Sequence, residues 1–121
     1  MTENKNSKQF DLEDRTFKFA KETRAFIKQV PRNICNIEDC KQLARSSGSV
    51  GANYIEANEA LSKKDFLMRV KISRKEVKES RFWLNLIDVQ ENVSLENERM
   101  RLIKESTELM LIFGAIIRKS E

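Results

Sequence analysis

The chain has 121 residues, enough to bury one hydrophobic core without cross-links. It contains no histidine and only two cysteines, which excludes the usual zinc sites and every histidine-dependent catalytic triad. The net charge is +4, the first residues are polar, and no apolar run is long enough for a membrane span. We therefore expect a soluble cytoplasmic protein with no membrane partner, no cofactor and no metal.

The first predicted helix starts near Glu13 and ends at Val30. Its apolar residues recur at steps of three and four, which places them on one face. Pro31, the only proline, disfavours helical geometry at the residue before it and so ends the helix. Residues 1–12 lack this pattern, so we expect a frayed N-terminal tail there and a single domain over 13–121.

The second predicted helix runs from Asn36, its predicted N-cap, to about Ala60, and it contains a seam of small residues. Ser47, Gly48 and Gly51 belong to this seam. Glycine costs about 1 kcal/mol relative to alanine in a helix interior, so we expect the seam to allow close packing of another helix or subunit. It does not match a phosphate-binding P-loop, because no lysine follows either glycine.

Ser62 and Asp65 form a capping box, which starts a third helix over 63–90 almost directly after the second. A fourth helix is predicted after Ser94 as its N-cap. Short links require consecutive helices to run antiparallel. The sequence therefore predicts an all-α protein folded as an antiparallel up-down-up-down four-helix bundle.

The third helix carries more apolar residues than one bundle core uses. Beside its inward stripe lie Met68, Ile72, Phe82 and Trp83, which would stay partly exposed in a monomer. Two interpretations are open for the aromatic pair: packing within the monomer, or anchoring a subunit interface. Under the second interpretation these four residues form the predicted oligomer interface.

The third helix is also the most basic segment. Residues 62–81 carry a net charge of +5, more than the whole chain. Such a face is often only solvated, but it contains few acids, and cations so arranged can neutralise phosphates without reading bases. The first helix adds further cations and is the alternative surface. The predicted nucleic-acid-binding residues are Lys63, Lys64, Lys71, Arg74, Lys75, Lys78 and Arg81.

Carboxylates occur at helical spacing as Glu56 with Glu59 and as Glu76 with Glu79. A four-helix bundle can hold a di-metal site in its core, but such sites use inward-facing acids together with histidine. Pairing with neighbouring arginines or lysines is the simpler interpretation. Because no nucleophile and base can be assembled from these residues, we expect no enzyme activity.

Four stretches together resemble a known family: RTFKFAKETRAFIKQVPR at 15–32, QLARSSGSVGANYIEANEALSKKDF at 42–66, KEVKESRFWL at 75–84 and STELMLIFGAIIRK at 106–119. They closely resemble the four-helix-bundle proteins encoded in intervening sequences of bacterial 23S rRNA genes. The resemblance implies a ring-like homopentamer. It also implies similarity to the accessory variability protein of diversity-generating retroelements, a basic barrel thought to bind nucleic acid and a reverse transcriptase.

Two functional hypotheses follow. The first is a non-enzymatic homo-oligomer that binds rRNA or another structured nucleic acid through its basic faces. The second is an interaction scaffold for another protein, with the basic face only solvated. Salt-dependent binding would favour the first hypothesis, and a protein complex that survives nuclease and high salt would favour the second.

Overall fold

Four α-helices form the computed structural model, which describes residues 4–121, with side chains described from residue 11 onward. The helices are α1 (Asn4–Ile27), α2 (Ile34–Asn58), α3 (Lys63–Leu86) and α4 (Val93–Ser120). Each packs against the next in the chain, and α1 closes the bundle against α4, while the diagonal pairs make no close backbone contact among the described residues. The predicted all-α, four-helix bundle is confirmed.

The first helix begins earlier than the sequence pattern indicates. It starts at Asn4 rather than near Glu13, so residues 4–12 of the predicted tail are helical. These residues include no proline or glycine, and Leu12 is buried in the core, which supports a helix ahead of the apolar stripe. Residues 1–3 lie outside the described part of the chain, and the division into a tail and one domain stays a prediction.

The N-cap of α2 is Asn33, not Asn36. The backbone of Asn33 is extended, and its side chain accepts a hydrogen bond from the Asn36 N–H at 2.9 Å. The Asn36 side chain is instead buried, and its amide nitrogen donates to the carbonyls of Pro31 and Asp88 at 2.9 and 2.8 Å. Its amide oxygen accepts from the Asp88 N–H at 3.0 Å. Asn36 therefore ties the α1–α2 link to the α3–α4 loop.

The third helix starts as predicted but ends four residues early. Ser62 accepts a hydrogen bond from the Asp65 N–H at 3.0 Å, which confirms the cap. The helix ends at Leu86, where the backbone of the C-cap residue Ile87 becomes extended, and a cation from α4 satisfies carbonyl groups at this end. Nη1 of Arg99 donates to the carbonyl oxygens of Leu84, Asn85 and Ile87 at 3.3, 3.1 and 3.3 Å.

The fourth helix begins after a tight turn. Gln90 and Glu91 have positive φ angles of 54° and 64°, which reverse the chain direction. Asn92 then caps α4 by accepting from the Leu95 N–H at 3.0 Å, so the N-cap lies two residues before the predicted Ser94. The turn geometry decides the position of the cap.

The core lies along the bundle axis and receives side chains from all four helices. Between α2 and α3 it also contains small polar residues: the hydroxyls of Ser46 and Ser80 bond to each other at 2.8 Å, and Ser73 donates to the Val50 carbonyl at 2.9 Å. These small side chains bring α2 and α3 close together. The fully buried large apolar residues include Phe19, Phe26, Leu43, Val50, Val70, Val77, Leu84, Leu102, Leu109 and Phe113.

Candidate nucleic-acid interface

The predicted basic residues of α3 are almost all exposed. Lys63, Lys64, Lys71, Arg74, Lys75 and Lys78 face solvent. Arg81 differs from them, because it is half-buried and its Nη1 donates to Oγ1 of Thr107 at 3.1 Å. Arg81 therefore links α3 to α4 and is less available to a ligand than the other six.

Four of these cations surround one depression beside α4. Lys71, Arg74, Lys75 and Lys78 line a space of about 220 Å³ together with Ile117. Only Lys71 has a counter-ion in the described part of the chain, the Glu121 carboxylate at 3.6 Å. Both of those side chains are 55% exposed, so their pairing is screened and weak. Apart from this pair and the attraction between Lys75 and the Glu79 carboxylate, the described residues leave the positive charge of the depression without a counter-ion.

A second depression lies next to the first on the outer face of α3. Lys64, Lys71 and Lys75 line its space of about 440 Å³, together with Met68 and Ile72. Lys63 lines neither depression. The structure thus brings two residues predicted for the oligomer interface into one surface with three residues predicted for nucleic-acid binding.

The two aromatic residues differ in exposure: Trp83 packs within the monomer, and Phe82 faces solvent. Trp83 is half-buried against the core, and its Nε1 donates to Oε2 of Glu79 at 3.1 Å. Phe82 is 56% exposed, with its ring edge-on to that of Trp83 at a centroid distance of 5.0 Å. Met68 is 46% exposed and Ile72 is half-buried. Phe82 and Met68 are the available apolar contacts on this face.

On the α2 side of α3, the acids are neutralised within the chain. Nη2 of Arg45 lies 2.5 Å from Oε2 of Glu79 and 3.3 Å from Oε1 of Glu76. Burial alone would raise the pKa of Glu79, but hydrogen bonds from Arg45 and Trp83 outweigh it and hold that pKa below its ordinary value. Structural pairing of these two carboxylates is confirmed.

The small-residue seam of α2 faces α1. A methyl group at Gly51 would lie 2.9 Å from Oγ1 of Thr16, and one at Gly48 would lie 3.1 Å from Nη2 of Arg24. Arg24 donates to the carbonyl of Ala44 at 3.1 Å and to Oγ of Ser47 at 3.4 Å. Ser47, Gly48 and Gly51 are therefore positioned for close helix packing inside one subunit.

The described residues offer neither a metal site nor a membrane-spanning helix. Within the described residues, no three histidine, cysteine or carboxylate side chains converge in a way that would hold a metal ion. No helix in that part of the chain combines the length and apolarity needed to cross a bilayer. The basic surface of α3 remains the strongest candidate for function.

Sequence reasoning missed one contributor to this surface. Arg118 comes from α4, and its guanidinium approaches Arg74 above Gly114. The spacing of Gly114 and Arg118, one helical turn apart, places both on the same side of α4. The register of α4 against α3 brings them to Arg74, and this register is not visible in the sequence.

Comparison with known proteins agrees with the fold. A family model described as "23S rRNA-intervening sequence protein" matches residues 8–114. No curated protein gives a significant match. The chain is similar to a crystal structure of a protein of unknown function from the S23 ribosomal protein family of Bacteroides thetaiotaomicron, with 30% identity and a TM-score of 0.75. That match covers 92% of this chain and 98% of the other. The chain belongs to the family of 23S rRNA-intervening sequence proteins.

Proposed function

We propose that the protein is a cytoplasmic, non-enzymatic homo-oligomer that binds structured RNA or DNA through phosphate contacts. The observation that carries this proposal is the group of four cations around the 220 Å³ depression of α3. Three of them, Arg74, Lys75 and Lys78, have no ion pair in the described part of the chain, and the fourth has only an exposed one. Such cations gain most from phosphate, because binding releases the counter-ions of the nucleic acid.

The surface favours backbone contacts over base readout. Lysine side chains are long and flexible point charges, which suit phosphates along a duplex or a folded RNA. We therefore expect affinity that depends strongly on salt and weakly on sequence.

Oligomerisation is the second part of the proposal. Phe82 and Met68 expose apolar area on α3, where a second subunit could cover them. The resemblance noted above implies a homopentamer, which would repeat the basic surface five-fold and strengthen its field. Light scattering at micromolar concentration should give a mass near five subunits. A stable monomer would contradict this part of the proposal.

Absence of enzyme activity is proposed on chemical grounds. Burial raises the pKa of the Cys40 thiol, and the carboxylate of Asp39 adds to this, so the reactive thiolate is disfavoured. Cys35 is free and exposed, and the chain has no histidine to act as its base. Neither cysteine therefore has the surroundings of a catalytic nucleophile.

The experiment that tests binding uses a charge reversal on α3. K71E/K75E/K78E should bind 23S rRNA fragments at least 100-fold more weakly than the wild type at low salt. The slope of log K against log salt should flatten by about 2 to 3, since each lost contact with a duplex removes about 0.9. K18E/K21E/K28E makes the same change of charge on α1 and at the turn that follows it, and serves as the matched control.

The control also decides between the two basic helices. If K18E/K21E/K28E loses binding while K71E/K75E/K78E retains it, the phosphate-binding surface lies on α1. If neither variant changes the affinity or the salt slope, binding does not depend on these cations. Circular dichroism at the assay temperature confirms that each variant is folded.

A second candidate function is favoured by the exposed side chains of Phe82 and Met68. In this alternative, the protein is a scaffold or accessory subunit that binds another protein through the outer face of α3. A partner recovered from the native cell extract after nuclease treatment and in high salt would favour it. Loss of that partner in F82S, with RNA affinity unchanged, would separate the two functions.

A further inference from the structure

Gly114 is buried in the C-terminal third of α4, inside the helix, where glycine is unfavourable for helix stability. A methyl group at this position would lie 3.4 Å from Nη1 of Arg118 and 3.9 Å from Nε of Arg74. Both nitrogens are thus within 4 Å of one point, so they are less than 8 Å apart. The missing side chain leaves room for two guanidinium groups from different helices to converge.

Neither guanidinium has a counter-ion in the part of the chain that the structure describes. Among the described residues, Arg74 and Arg118 form no ion pair and donate no hydrogen bond. Most other arginines of the described chain behave differently, since each has a carboxylate, an amide, a hydroxyl or a carbonyl group as acceptor. They are Arg15, Arg24, Arg45, Arg69, Arg81, Arg99 and Arg101.

Two like charges less than 8 Å apart repel each other, more weakly where solvent reaches both side chains, and an anion between them removes the repulsion. Phosphate fits this position by its charge and by its several acceptor oxygens. Each guanidinium can donate two parallel hydrogen bonds to such a group. A carboxylate offers only two oxygens, so it satisfies two arginines less completely than a phosphate does.

We propose that Arg74 and Arg118 form a clamp for a single phosphate group, with Gly114 as its floor. Lys71 and Lys78 lie on the rim of the adjoining depression and add positive charge. This inference deepens the proposed function by assigning one defined phosphate site within the broader basic surface. For a phosphate of a nucleic acid, the clamp rests on the proposed function. A free phosphate or pyrophosphate has the same chemistry and could bind the clamp without that function.

The decisive variant keeps the charge and removes the planar fork. R74K/R118K should bind an rRNA fragment at least ten-fold more weakly than the wild type at constant salt. The matched control, R32K/R101K, makes the same change at two exposed arginines outside the basic surface of α3 and should bind within about two-fold of the wild type. If R74K/R118K binds as tightly as the wild type, only general charge matters and the clamp is wrong.

A second measurement uses inorganic phosphate and pyrophosphate without nucleic acid. Titration of the wild type should shift the side-chain Nε–H resonances of Arg74 and Arg118 in NMR spectra, and R32K/R101K should retain these shifts. Shifts spread evenly over all exposed arginines would indicate nonspecific ion binding and would overturn the clamp.

The two measurements separate the clamp from the proposed function. If the wild type binds no RNA but phosphate still shifts Arg74 and Arg118, the proposed function is wrong and the clamp serves a free phosphate-bearing ligand. If RNA binds with a steep salt slope but R74K/R118K has no effect, the proposed function stands without the clamp. If neither ligand binds, both proposals are wrong.

Discussion

The fourth helix packs against α1 along one seam and against α3 along another, and the arginines at these two seams have different partners. On the α1 side, Arg15 donates to Glu105 at 2.7 and 2.8 Å and to Glu108 at 2.8 Å. On the α3 side, Arg74 and Arg118 form no ion pair among the described residues, and the Glu121 carboxylate is paired with Lys71 at 3.6 Å. Arg15 is therefore paired with carboxylates on the first seam. On the second seam Arg81 and Arg99 bond to hydroxyl and carbonyl groups of the protein, and Arg74 and Arg118 are left available.

Pairing with carboxylates shifts the pKa values of the arginines at the α1–α4 seam. Hydrogen bonds from the guanidinium to Glu105 and Glu108 raise the pKa of Arg15, and those to Glu98 and Glu22 raise the pKa of Arg101. These arginines hold α1 against α4, the less closely packed of the helix pairs that touch. The comparison shows that counting basic residues on a face does not reveal which of them a ligand can reach.

The largest expected effect concerns the scaffold that both seams share. N36A should lower the free energy of unfolding by about 3 kcal/mol, because it removes three hydrogen bonds of a buried side chain and leaves partly buried backbone groups of Asp88 and Pro31 without their partner. Chemical denaturation measures this change. Below the melting transition, RNA affinity should stay near that of the wild type, and a parallel loss of affinity would show that scaffold and surface are not separable.

Glycines at two helix contacts should respond with opposite sign. G51A should cost about 1 to 3 kcal/mol of stability, because the new methyl group would meet the buried Thr16 side chain at 2.9 Å. G114A should gain up to about 1 kcal/mol from helix propensity, because its methyl group meets only arginine side chains at 3.4 Å or more. Urea denaturation of both variants tests this, and equal losses would contradict the open character of the α3–α4 seam.

Replacing one arginine at each seam should change the free energy of unfolding by different amounts. R15Q should lower the free energy of unfolding by about 1 kcal/mol, since its hydrogen bonds to Glu105 are charged and only partly exposed. R74Q should change stability by less than about 0.5 kcal/mol, because this guanidinium makes no hydrogen bond or ion pair in the described chain. Thermal unfolding of the pair measures the contrast. A larger loss in R74Q would show that Arg74 has a structural role.

The smallest expected effect is on the pH dependence of the free energy of unfolding, through a carboxylate at the α1–α4 seam. A hydrogen bond from Arg101 lowers the pKa of Glu98, with burial opposing it. A lowered pKa in the folded state stabilises the fold above the ordinary glutamate value of about 4.3 and loses that stabilisation as the pH falls through the folded value. E98Q should therefore lose a few tenths of a kcal/mol less between pH 6 and pH 3 than the wild type does.

The matched control for that measurement is E59Q. Glu59 is exposed and forms no ion pair in the part of the chain that the structure describes. Its acid-induced loss of stability should follow the wild type. If E98Q and E59Q give the same curve, the contact between Arg101 and Glu98 contributes nothing to stability.

The core and the helix order were predictable because they follow from local periodicity. Val70, Val77 and Leu84 repeat every seven residues on α3, and all three are fully buried. Exposure of Lys71, Lys75 and Lys78 follows from the same repeat. The ends of the helices were less predictable, since the cap of α4 depends on the positive φ angles of the preceding turn.

Contacts between distant residues were not predictable from local patterns. Asn36 pairs with Asp88, 52 positions away, and the sequence around Asn36 is equally compatible with an N-cap. The approach of Arg118 to Arg74 depends on the register of α4 against α3. Only the folded chain shows which cations have a carboxylate nearby, and this information identifies the candidate site.

The most direct test of the central claim is lysine footprinting with and without an rRNA fragment. Acylation of each lysine is read by mass spectrometry on the intact assembly. RNA should protect Lys71, Lys75 and Lys78 on α3 from acylation, while Lys104 on α4 and Lys18 on α1 keep their reactivity. Protection of the α1 lysines with no change on α3 would contradict it.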